Sequence, residues 1–121
     1  MATFEINGKE YELKLTYQSI KLLNKSIEGG SYGIVGNAIA GDLEAFPNIV
    51  HAGLIHTGEN FSLKTVESEI EKLIDSEKLS LDDVAKICDE VVTQSFFFAK
   101  TVKKMVDANP EIEKALKLLR G

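Results

Sequence analysis

Tryptophan is missing from this chain, and proline and cysteine are scarce: two Pro and one Cys in 121 residues. A lone Cys88 excludes an intramolecular disulfide, and with it a disulfide-stapled secreted scaffold. No apolar run approaches the ~20 residues of a bilayer-spanning helix. The longest is Phe96–Ala99. The chain does not open on a basic segment followed by an apolar one, so no signal peptide is expected and a cytosolic location is. Basic charge is also in deficit, with 14 Lys and Arg against 19 Asp and Glu and a net charge of −5. That balance argues against nucleic acid as the main partner, because neutralising phosphates takes clustered cations. Lys100, Lys103 and Lys104 are close in sequence and read as a solvated helix face.

What is present is an ordinary globular balance, 44% hydrophobic and 27% charged. Phe4 and Ile6 alternate, Asn7-Gly8 follows, and Tyr11, Leu13 and Leu15 alternate again. Asn-Gly between alternating runs is a strong hairpin signal, because both turn positions need positive φ. Strands are expected near 2–6 and 9–15. The period then turns helical. Thr16 is a candidate N-cap for a helix through Tyr17, Ile20, Leu23 and Ile27, which Gly29-Gly30 should end. Residues 29–41 hold five of the nine glycines. Glycine weakens a helix by about 1 kcal/mol per site, so this segment is expected to be mobile or closely packed, with a short helix around Ile34, Val35, Ala38 and Ile39. Pro47 suits the first turn of a helix closed by Gly58. Ser62 caps another through Leu63, Val66, Ile70 and Leu73. Ser80 with Asp83 forms a capping-box pattern for a long helix to about residue 107, and Asn109-Pro110 starts a last one.

This pattern predicts a mainly α fold: an N-terminal β-hairpin (2–15) packed on about five to six helices (16–120), as a single compact domain over 1–121. No cofactor, metal or small-molecule substrate is expected. His51 and His56 are five residues apart and point about 140° apart on a straight helix, which is wrong for chelating one ion. Cys88 falls on an apolar stripe, as a structural cysteine should. No nucleophile elbow or phosphate-loop spacing occurs, so no enzyme is expected.

Laid out at 100° per residue, Val84, Ile87, Cys88, Val91, Phe98, Ala99, Val102, Met105 and Val106 lie within roughly 60° of one line. Phe97 projects about 140° away from that line and Phe96 about 120° away on the other flank. Two large aromatics flanking a polar face point to a second contact, unless another helix covers them.

The stretch Asn7 to Lys25 (NGKEYELKLTYQSIKLLNK) resembles the opening of tail assembly chaperones from long-tailed bacteriophages and prophages of the Gram-positive type. So do GNAIAGD at 36–42, FPNIVHAGLIHT at 46–57 and FSLKTVE from Phe61. The resemblance implies a non-enzymatic chaperone. It would bind the helical, hydrophobic tape-measure protein in the host cytoplasm and keep it soluble until tail-tube subunits polymerise and displace it, and it would be absent from the finished particle. The alternatives are a tail or neck component retained in the virion and a small regulatory binding protein. Such chaperones often have a longer, frameshifted form, and this chain resembles the short one. The expected partners are the tape-measure protein and further copies of the chain, with no membrane or nucleic acid. The expected contact surface is Phe96, Phe97, Phe98, Val102 and Met105, with Tyr32 and Ile34 in the glycine segment as a lid or seam.

Overall fold

The computed structural model describes residues 1–121. Strands β1 (Thr3–Ile6) and β2 (Lys9–Glu12) pair antiparallel, Ile6 opposite Lys9. Asn7 and Gly8 take φ values of 51° and 83°, as a tight two-residue hairpin turn requires. The second strand is shorter than the alternation predicts. The ladder makes one more bond at Leu13, and the chain then crosses the helical body as an extended strap. Leu13 N–H donates to Ala2 O (2.9 Å) and Lys14 N–H to Gly53 O (3.0 Å), which leaves Leu13 and Leu15 buried. The strap lies so close that a Cβ on Gly53 would sit 3.2 Å from Leu13 Cβ.

Seven α-helices follow: α1 (Tyr17–Ser26), α2 (Gly30–Ala40), α3 (Phe46–Leu54), α4 (Leu63–Asp75), α5 (Leu81–Cys88), α6 (Ala99–Ala108) and α7 (Pro110–Arg120). Local signals start most of them. Thr16, Ser62, Ser80 and Asn109 each accept a backbone N–H with the side chain, satisfying donors that a helix start leaves open. Ser19 closes the capping box with Thr16 and also donates to Ala52 O at 2.7 Å, tying α1 to α3 from a fully buried position. At the other edge Glu69, nearly buried on α4, accepts the turn N–H of Asn7 at 3.0 Å and so seats the hairpin. The glycine-rich segment forms a regular helix, α2, and Ile34, Val35 and Ala38 face its core side. Close packing accounts for Gly33, against the Glu28 carbonyl, and positive φ at the helix ends for Gly29, Gly30 and Gly41.

One cluster of 23 buried residues joins the hairpin, the strap, α1 to α5 and the segment to Phe98. It ends there. No residue of α6 is buried, and α7 buries only Leu116, outside that cluster. No helix is long and apolar enough to cross a membrane.

Candidate protein-binding surface

The single helix expected from Ser80 to about 107 is broken. α5 starts from the Ser80–Asp83 capping box, with reciprocal bonds of 3.1 and 2.9 Å. At Asp89–Thr93 it widens into a π turn, closed by Gln94 N–H donating to Asp89 O at 2.9 Å. Ser95 then turns extended (φ −73°, ψ 140°) and its hydroxyl accepts from Phe97 N–H at 3.2 Å. A 3-10 turn, Phe96–Phe98, leads into α6.

The π turn opens on a buried acid, Asp89. A straight helix places it, with Thr93, on the polar face; here both are buried. The Asp89 carboxylate accepts from Thr93 Oγ1, from Gln94 Nε2 at 2.7 Å, and from Arg120 Nε and Nη2 at 2.9 and 2.8 Å. Burial pushes this carboxyl up. The hydrogen bonds from Arg120, Thr93 and Gln94, with the Arg120 charge, outweigh burial and hold it below its ordinary range. Arg120 is the only arginine in the chain, and its planar fork suits a two-point grip on a carboxylate. A polar surface depression of about 470 Å³ adjoins the pair, lined among others by Lys86, Glu90 and Leu119. Cys88, next in line, is fully buried. Burial, then the charges of Asp42 and Asp89, push its thiol up to about 12, so it stays protonated and unreactive.

The break decides where the aromatics go. Phe98 enters the core at 2% exposure, whereas Phe96 is 89% and Phe97 49% exposed. The two rings do not stand on opposite flanks of a helix, as the straight-helix geometry predicts. They meet edge to face, centroids 5.7 Å apart, and both reach solvent. Val102 and Met105 are half-buried against the core, Met105 beside α2 at Gly36. Tyr32 is exposed on α2, but Ile34 is 1% exposed. Of the seven expected contact residues, then, Phe96 and Phe97 form a joined apolar surface, Tyr32 is open, Met105 lines the α2–α6 contact, Val102 packs half-buried on the core, and Phe98 and Ile34 belong to the core.

Histidine serves structure. His51 Nε2 donates to Phe61 O (2.8 Å) and His56 Nε2 to Glu12 O (2.7 Å), each pinning a loop or strap to α3 or the turn after it. No three His, Cys, Asp or Glu side chains stand close enough together to hold a metal ion.

Hairpin, the first six helices and the aromatic pair fall inside one family pattern: the model of the phage tail assembly chaperone protein (TAC) family matches residues 3–107. The chain belongs to that family. No curated protein and no solved structure matches it. The matched span runs from β1 through α6 and takes in the Phe96–Phe97 pair of this tail assembly chaperone. α7 and its Arg120 lie beyond it.

Proposed function

We propose that this tail assembly chaperone acts without catalysis in the host cytoplasm, binding the tape-measure protein and releasing it when tail-tube subunits polymerise. The observation that carries the reading is the family match combined with the uncovered Phe96–Phe97 pair. A client with exposed apolar helical faces is held by a partner that offers apolar surface. Contacts that tail-tube subunits must later displace have to be individually weak. Several copies acting together then supply the strength, so self-association belongs to the proposal. Two rings on one 3-10 turn make such a small, repeatable contact, with the exposed Tyr32 as a further one.

The test of the surface is a comparison of Phe96→Asp and Phe97→Asp with the wild type, each co-expressed with the tape-measure protein. Both rings are already open to water, so the fold should change by less than about 1 kcal/mol. The amount of client that co-purifies should fall about tenfold or more, as expected for an interface aromatic worth about 2 kcal/mol. Undiminished co-purification in both variants contradicts the assignment of this surface.

A further inference from the structure

The helix break has a second property. The apolar residues before it (Val84, Ile87, Cys88, Val91) and after it (Phe98, Val102, Met105, Val106) stay in phase at 100° per residue, as though the helix ran straight through. A sequence serving the bent form alone has no need of that agreement. The structure also shows what would leave if the bend opened: the Phe96–Phe98 turn, α6 and α7, which contain two buried residues between them, Phe98 and Leu116. The arm's anchors are Phe98 in the core, the Val102 and Met105 contacts and the Arg120–Asp89 pair.

We infer that the α6–α7 arm exchanges between two copies of this chain, with Gln94 and Ser95 as the hinge. In the exchanged form α5 and α6 run as one straight helix. The arm of each copy lies on the body of the other, and Arg120 of one grips Asp89 of its partner. The occupant is a second copy because the vacated surface is already complementary to this arm in shape and charge. The packing and the ion pair that hold the arm at home re-form between the two copies, and the straightened hinge adds helical backbone bonds. This rests on the self-association part of the proposed function and supplies its mechanism; it does not depend on the client.

Charge reversal tests it. Asp89→Arg alone sets two arginines face to face, and Arg120→Asp alone sets two carboxylates face to face, whether the arm docks at home or on an identical copy. A mixture of the two variants restores opposite charges only by exchange. After equilibration, native mass spectrometry with one variant isotope-labelled should show heterodimers exceeding either homodimer about tenfold or more. Should Asp89→Arg fail to fold, Ser95→Ala serves. It removes the hydroxyl that caps Phe97 N–H and favours straight helix, so the dimer association constant of the otherwise intact chain should rise on the order of tenfold. Dimers that form without heterodimer excess, or that ignore Ser95→Ala, overturn arm exchange and leave self-association standing through another surface. A chain that remains monomeric at every concentration overturns both.

Discussion

Replacing Gly33 by alanine is expected to lower the melting temperature by roughly 6–12 °C, although Gly33 lies within a helix where alanine is normally the better residue. Helix propensity alone favours the change by about 1 kcal/mol. Sterics reverse the sign. A Cβ on Gly33 would stand 1.8 Å from the carbonyl oxygen of Glu28 and 2.8 Å from its carbon, and both are backbone atoms that cannot rotate away. The turn that joins α1 to α2 would have to move. Gly29 and Gly30 hold that turn at φ 95° and 62°, and Ile34 and Val35 on the adjoining turn of α2 are fixed in the core. Overpacking against a fixed neighbour costs about 3 kcal/mol, a large part of the roughly 5–15 kcal/mol of a typical domain. Gly36, further along the same helix, is the control. Its Cβ would meet only Met105 Cε at 3.9 Å, an ordinary contact. Gly36→Ala should therefore stabilise by about 0.5–1 kcal/mol. Thermal unfolding of the two variants side by side checks both signs.

Arg120→Ala is expected to cost about 2–4 kcal/mol at neutral pH, far more than an exposed ion pair is worth. The reason is what remains. The Asp89 side chain is 3% exposed and keeps only Thr93 and Gln94 as donors once the guanidinium is gone. Half-exposure of Arg120 keeps the cost below the upper range for a fully buried pair. The pH dependence has a definite sign. The folded-state carboxyl lies below its ordinary value, so its stabilisation is complete above the unfolded value of about 3.9. It drains away as pH falls from there through the folded value. The gap between wild type and Arg120→Ala should accordingly be largest at neutral pH and close as pH falls, because a protonated Asp89 no longer needs the guanidinium. Denaturant unfolding at a series of pH values measures it. Hydrogen exchange should show α7, which has one buried residue, losing protection first.

Much of this architecture is legible in local sequence, and what is not has a common cause. Asn7-Gly8 announces the hairpin, and Thr16, Ser62, Ser80 and Asn109 announce their helices, because each signal acts within four residues. The strap after Glu12 alternates like a strand, yet after one in-register bond to Ala2 it turns to Gly53 on α3, which no local pattern records. The break at 89–95 is hidden for the same reason. A 100° projection puts Asp89 and Thr93 on the wet face, and only Arg120, 31 residues from Asp89, makes their burial possible. Two traces of it stand in the sequence: Ser95 is an N-cap residue before three aromatics, and a chain rich in lysine carries one arginine. At the candidate surface, Phe96 and Phe97 stand out as aromatics off the apolar stripe. Their mutual contact is not foretold, because the 3-10 turn creates it. Phe98 and Ile34 enter the expected surface only through their neighbours, although the apolar phase of Phe98 already marks it for the core.

Whether this chaperone holds the tape-measure protein in solution can be read from one quantity: the soluble fraction of that protein, expressed alone and expressed with the wild-type chain. The client alone is expected to sediment with insoluble material. With the chaperone present, it is expected to stay in the supernatant and co-purify with it. A client that is equally insoluble in both cases, with no chaperone bound, contradicts the proposed function.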